Sequence, residues 1–296
     1  MASQSITTLD LEKFQTELAR KDPYDIATIL LELLVERQRE EVDGSVGARI
    51  RRSKPTHELQ RKRQARMIEV LMEELQQYGR LSPTGRTKGL FGRNSRPNRP
   101  PHMYDASESL LSGFFCTLYW YTPGVIDSEG SPKPIWEQVS LKDGNIKGQQ
   151  YYKRNDFQEA VINYSEIWGR SVFLTAEGTF APIEGIEEQP GEGGKTQPPV
   201  FNALKRTVPK SRTLRACPDV FRVDATKVSL HLLGLKVDLP IKGSSNLVIL
   251  YADPRIRIFI SPTESKTAVG NWEEAGLVVA QVRSDFVLGD AVMDLR

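Results

Sequence analysis

The sequence predicts an α+β protein, with helices at its N-terminus and antiparallel strands after them. Three observations predict it. Apolar residues recur at helical spacing up to about Tyr78. All periodicity is then lost in an Arg-, Gly- and Pro-rich stretch at 82–105. Beyond it, short β-prone runs alternate with turn residues. Short strands joined by turns indicate a sandwich or a barrel rather than a parallel sheet. The expected division is a helical segment at 1–81, a loop at 82–105 and β-structure at 106–290.

The helices come first. Thr8 suits an N-cap ahead of Leu9, Leu11, Phe14 and Leu18. Asp22-Pro23 restarts the helix, with the aspartate as cap and proline at the first position. Ile26, Ile29, Leu30, Leu33 and Leu34 then form one apolar stripe. Gly44 and Gly47 read as its stop. A further helix is expected from about Thr56 to Tyr78, with Met67, Ile68, Leu71, Met72 and Leu75 inward and Gly79 as the residue after its end.

The strands follow. FFCTLYWYT at 114–122 is aromatic and β-prone, and IWEQVSL at 135–141 is a second candidate. SVFLTAEGTFAPI at 171–183 contains a clean alternation around Thr175 to Phe180. Residues 184–199 read as a long loop. The last third is nearly all strand: VFRVDATKVSLHLL, SSNLVILYADP, RIRIFISP and AGLVVAQVR. Its expected turns are Gly243-Ser244-Ser245-Asn246 and Ala252-Asp253-Pro254. Val228, Leu230 and Leu232 alternate with Lys227, Ser229 and His231, which gives a wall with one apolar face.

Composition narrows the class. In 296 residues, 39% are hydrophobic and 26% charged, a globular mixture rather than a disordered one. No apolar run reaches the roughly 18 residues of a transmembrane helix. Asp10 and Glu12 interrupt any signal-peptide core, so no targeting segment is visible. Cys116 and Cys217 make at most one bridge, and read as free buried thiols.

The net charge of +2 hides an asymmetry. Between Arg49 and Arg99 there are 14 Lys/Arg against 4 Asp/Glu. Arg51, Arg52, Arg61, Lys62 and Arg63 are the densest part. They fit a solvated helix face, a contact with an anionic membrane surface or a partner, or nucleic acid. Nucleic acid is disfavoured, because aromatic residues are not interleaved with the basic ones.

Catalytic motifs are missing from the sequence. His57, His102 and His231 are isolated from one another, and no CxxC, HExxH, GxSxG or GxGxxG element occurs. Gly193-Gly194-Lys195-Thr196 resembles part of a phosphate loop, but position 189 is Gln where a glycine is required. The expectation is a protein that is not an enzyme and holds no metal. A converging pair of carboxylates stays open, since the sequence does not show which ones meet.

The run KVSLHLLGLKVDLPIKGSSNLVILYADPRIRIFISP is specific. Its Leu233, Gly234, Leu235, Leu239, Pro240, Gly243, Tyr251, Asp253, Arg257 and Ile258, with Val278, Val279, Val282 and Arg283, resemble the C-terminal signature of the plastid lipid-associated protein/fibrillin family. LLSGFFCTLYWYT, through Leu110, Leu111, Gly113, Phe115, Leu118, Trp120, Tyr121 and Thr122, resembles that family's entry into its β-domain. The likeness covers about 26–288 and departs from the family at Phe115, at Ala252-Asp253-Pro254 and in two insertions. It implies a divergent member: helices packed on a lipocalin-like antiparallel β-barrel at 106–290, peripheral to the thylakoid of a plastid. It also implies non-enzymatic binding or organisation of an isoprenoid lipid, quinone or carotenoid. The alternatives are a structural or assembly subunit of a photosynthetic membrane complex, or an accessory protein of prenyl-lipid synthesis. The partners would be a hydrophobic small molecule and an anionic membrane surface or thylakoid complex.

A small barrel can shelter one apolar ligand. Phe115, Leu118, Trp120, Phe173, Phe180 and Leu230 are the expected liners, unless they fill the barrel outright. Tyr251, Asp253 and Arg257 lie around one turn. Either an Asp253–Arg257 pair closes the barrel end with the arginine over an aromatic ring, or Asp253 caps the turn beside Pro254 and Arg257 is solvated.

Overall fold

The computed structural model describes residues 13–18, 20–43, 52–76, 113–121, 140–141, 144–155, 158–182, 219–261 and 277–288. Within them the chain is α+β, as expected. Residues 13–18 are helical. Helices α1 (Pro23–Val42) and α2 (Pro55–Gln76) precede eight strands. These are β1 (Gly113–Tyr121), β2 (Lys147–Asn155), β3 (Gln158–Glu166), β4 (Val172–Pro182), β5 (Asp219–Leu232), β6 (Leu235–Ala252), β7 (Ile256–Ser261) and β8 (Leu277–Arg283). A short helix, α3 (Ser284–Leu288), follows. The expected loops at 82–105 and 184–199, the candidate strand at 135–139, Gly193–Thr196, Arg51 and Cys217 lie outside the described residues.

Helix α1 begins where the sequence says it should. The Asp22 carboxylate accepts the Tyr24 N–H at 2.8 Å, and Pro23 occupies the first turn. Its buried side is Ile26, Ala27, Leu30, Leu31 and Leu34; that of α2 is Ile68, Val70, Leu71, Met72 and Leu75. Both stripes meet the outer faces of β1, β7 and β8 through Cys116, Leu118, Ile258, Ile260, Val278, Ala280 and Val282. Burying each such leucine contributes about 1.5–3 kcal/mol.

Each strand pairs antiparallel with the next, and β1 pairs with β8 as well as with β2. The eight strands thereby form a closed barrel. Side chains alternate across its wall. Leu247, Ile249, Phe259, Leu277 and Val279 form an apolar cluster with Tyr151, Val161, Phe180 and Phe221. Their strand neighbours Leu250, Ile258, Ile260 and Val278 belong instead to the cluster with the helices. A bulge between Thr117 and Tyr119 shifts the phase of β1, so Trp120 pairs with Val279 and joins the first cluster.

Two sequence expectations change here. Gly243 to Asn246 is not a turn: β6 runs through it without a break. The turn is Leu233-Gly234, at φ 49° and 88°, which lets β5 and β6 pair over nearly their whole length. Leu141 is not in a strand, and the pair that follows β1 is instead β2 and β3.

The β6–β7 turn ties the barrel to α1. Asp253 is fully buried and accepts from Tyr251 Oη at 3.0 Å and from the N–H groups of Arg255 and Ile256 at 2.7 and 2.8 Å. Arg255 reaches Asp253 Oδ2 at 3.1 Å and Thr28 Oγ1 at 2.9 Å, and stacks over the Tyr24 ring at 3.7 Å. One carboxylate therefore shapes the turn and holds the cation that grips the helix. Asp253→Ala should lower the unfolding free energy by about 3 kcal/mol, because it strands a cation and several donors. Urea unfolding followed by far-UV circular dichroism measures this.

Candidate ligand-binding cavity

A cavity of about 430 Å³ lies within the barrel. Its lining has two chemistries. Leu174, Ala176, Val223, Val228, Leu247, Phe259 and Val279 make an apolar wall. Thr117, Gln149, Asn163 and Gln281, with Ser165 and the charged amine of Lys147, make a polar strip. The strip is contributed by β1, β2, β3 and β8, which are consecutive around the closed barrel.

The polar strip is connected by hydrogen bonds. Gln149 Nε2 donates to Asn163 Oδ1 at 2.6 Å, and Tyr151 Oη donates to Gln149 Oε1 at 3.2 Å. Gln281 Nε2 donates to Thr117 Oγ1 at 2.9 Å. Behind them stands Arg257, wholly buried. It donates from Nε to Gln281 Oε1 at 2.6 Å and from Nη2 to the Gln149 carbonyl at 3.2 Å. Its guanidinium lies between the Phe115 and Tyr151 rings, at 4.3 and 4.6 Å from their centroids. Burial pushes its pKa down to about 10, so it stays cationic at neutral pH. Burial likewise raises the Tyr151 hydroxyl above its ordinary value.

This pattern fixes what the strip can offer. Thr117 Oγ1 accepts from Gln281, so its own proton is left to donate. Asn163 Oδ1 accepts from Gln149, so the amide N–H pair of Asn163 is left to donate. With a buried cation behind them, the complementary group on a ligand is an oxygen acceptor. A glycine permits the close packing of the wall here. A Cβ on Gly148 would stand 2.2 Å from the Phe115 carbonyl.

The expected liners divide. Phe180 faces the interior and meets Tyr151 edge-on at 4.6 Å between ring centroids. Phe115 also faces the interior, beneath the cavity and against Arg257. Trp120 belongs to the interior cluster, with Lys147 Nζ 5.8 Å from its ring centroid. Leu230 pairs with Leu174 and Val237 on the cavity side, one step beyond Val228. Two expectations are corrected. Leu118 sits at the β1 bulge and packs in the cluster with the helices. Phe173 packs outside the wall, stacked on His231 at 4.2 Å and near Tyr164 at 5.1 Å. Neither reading of Asp253 and Arg257 holds whole: they do not pair, and Arg257 is buried rather than solvated. Asp253 caps the turn and takes Arg255, whereas Arg257 points into the barrel and does lie over aromatic rings.

Of the basic residues, Arg52 donates to the Glu41 carbonyl at 3.2 Å, Arg61 pairs with Glu41 at 2.6 Å and Lys62 with Glu58 at 3.1 Å. Arg63 is exposed on α2. The α1–α2 contact thus uses part of the charge that the sequence offered to a membrane or partner. His231 Nε2 lies 3.3 Å from Thr175 Oγ1, and partial burial holds its pKa below the ordinary value, with Lys236 acting in the same direction. Among the described residues no group of three or more His, Cys, Asp or Glu could hold a metal ion.

Sequence reasoning missed Thr117, Gln149, Asn163 and Gln281. The signal that could have found them is polar residues at every second position of aromatic-rich strands. No family model, no curated protein and no solved structure matches this chain.

Cys116 is buried between helices and wall, and burial, with Glu166 nearby, pushes its thiol up to about 12. In a Cys217→Ser background, a disulfide reagent should leave the native thiol untouched at pH 8 and titrate it on unfolding. The folded thiol binds its proton more tightly than the unfolded one. Its contribution to stability is therefore complete below about pH 9 and is lost as pH rises toward 12.

Proposed function

We propose that the protein is a non-enzymatic carrier of one small amphiphile, held in the barrel with its apolar body against β4–β8 and an oxygen acceptor on the polar strip. The observation that carries this reading is the two-sided cavity, in which a polar side that includes the donors of Thr117 and Asn163 faces an apolar wall. At about 430 Å³ it lies toward the lower end of ligand pockets, which run from about 300 to 1,000 Å³. That size and the two donors favour a short prenylated quinone or a similar carbonyl-bearing isoprenoid over a long carotenoid. The arrangement is lipocalin-like: a small closed barrel whose interior holds a ligand. The likeness of the C-terminal third to plastid lipid-associated proteins supports the same ligand class and a peripheral place at a plastid membrane.

The test uses a short-chain prenylated quinone, which quenches tryptophan fluorescence. Trp120 beside Val279 serves as the reporter. The wild type should show saturable quenching. Ala176→Phe, which fills the cavity, should abolish it, and Thr117→Val should weaken affinity about tenfold through one lost hydrogen bond. Linear, unsaturable quenching in the wild type, or unchanged binding by Ala176→Phe, would sink the carrier reading.

A further inference from the structure

The β5–β6 hairpin carries an apolar face that nothing in the described residues covers. Val228 pairs with Leu239, Leu230 with Val237 and Leu232 with Leu235, all on the cavity side of the sheet. Leu235 is 70% exposed, and Leu232, Val237 and Leu239 are exposed too. At the apex, Leu233 is 78% exposed and has φ 49°. Both facts are unfavourable for a leucine. A two-residue hairpin turn of this kind prefers Asn-Gly, because asparagine tolerates a left-handed backbone and water. Leu233-Gly234 therefore costs the fold something that Asn-Gly would not. A strained residue kept at an exposed apex points to a use outside folding.

A second apolar group shares this end of the barrel. The β3–β4 turn bonds the hairpin apex, the Leu233 N–H donating to the Ser171 carbonyl at 2.9 Å. That turn presents Trp168, 67% exposed, with Arg170 exposed two residues on. A tryptophan beside an arginine, next to projecting leucines, is the composition of a segment lying at a membrane–water boundary. Charge selects the surface. On the hairpin's polar face Lys227 and Lys236 are balanced by Glu177 and Asp238, at 3.0 to 3.9 Å. That face holds no excess charge for an acidic partner. The apolar face runs without interruption from the apex through Leu230 to Val228 in the cavity wall.

We infer that the tip formed by Leu232, Leu233, Leu235 and Trp168 inserts into the outer part of a lipid bilayer, and that the hairpin face leads from the acyl chains to the cavity. Insertion is driven by apolar area and needs no anionic headgroup. Its physics is independent of the cavity, while its purpose rests on the carrier reading above.

The experiment is flotation of the full chain with pure phosphatidylcholine vesicles at low and high salt, joined to tryptophan quenching by brominated phosphatidylcholine. The wild type should float equally at both salt concentrations, and its fluorescence should be quenched. Leu233→Asn suits the left-handed backbone and so keeps the fold. It should cut vesicle partitioning about tenfold. Trp168→Phe should remove the bromolipid quenching but retain flotation. Ala176→Phe should float normally even if it binds no quinone, which separates failure of the tip from failure of the carrier reading. Three results would overturn the proposal: no flotation of the wild type, unchanged flotation of Leu233→Asn, or flotation that requires anionic lipid and vanishes in high salt. A vesicle-free dimer abolished by Leu233→Asn would overturn it as well, by assigning the tip to a second copy of this chain.

Discussion

Everything else in this fold depends on the pairing of β1 with β8. It joins residues 113–121 to 277–283, more than half the chain apart, so a long loop is closed before the contact returns any energy. Closure creates an inside. It places Thr117 beside Gln281 and Trp120 beside Val279, and it turns Cys116 and Tyr119 outward toward the helices. Without it the sheet would have two edges, and the polar strip would be split between them.

The interior is built in two layers. Below, Phe115, Tyr151 and the buried guanidinium of Arg257 fill the space, together with Phe180 and Phe221. Above, side chains shorten to threonine, alanine and valine, and a cavity opens. A buried cation is tolerable only where acceptors and ring faces replace water, and here Gln281 Oε1, the Gln149 carbonyl and two rings do so. The same cation orients the amides above it, so the floor sets the polarity of the space that a ligand would meet.

The helices, the order of the later strands and the apolar periodicity were legible in the sequence, because the packing at those sites obeys a single period. Asp22-Pro23 and the stripe from Ile26 to Leu34 found α1 for that reason. Strands β2 and β3 escaped because Gln149 and Asn163 face inward, so alternation between apolar and polar residues is weak there. The residues that hid those strands are the ones that make the cavity polar. Leu118 and Phe173 were misplaced because a bulge reverses phase in β1 and because the outer wall is itself aromatic. Asp253 and Arg257 were recognised as important, but their partners were not legible: Asp253 is satisfied within its own turn by Arg255, whereas Arg257 lies on β7 and points into the barrel.

The outer edge of β6 has a consequence for the protein in solution. Among the described residues β7 pairs with β6 only from Val248 onward, so the edge from Leu235 to Leu247 has no strand beside it. A bare edge of that length is a template on which further chains could add and grow into fibres. Pro240 supplies no N–H to such an addition, and the exposed Lys242 brings like charges together when two edges approach. The hairpin can thus expose leucines on its face while its edge resists polymerisation, which keeps a sticky surface compatible with a dispersed protein.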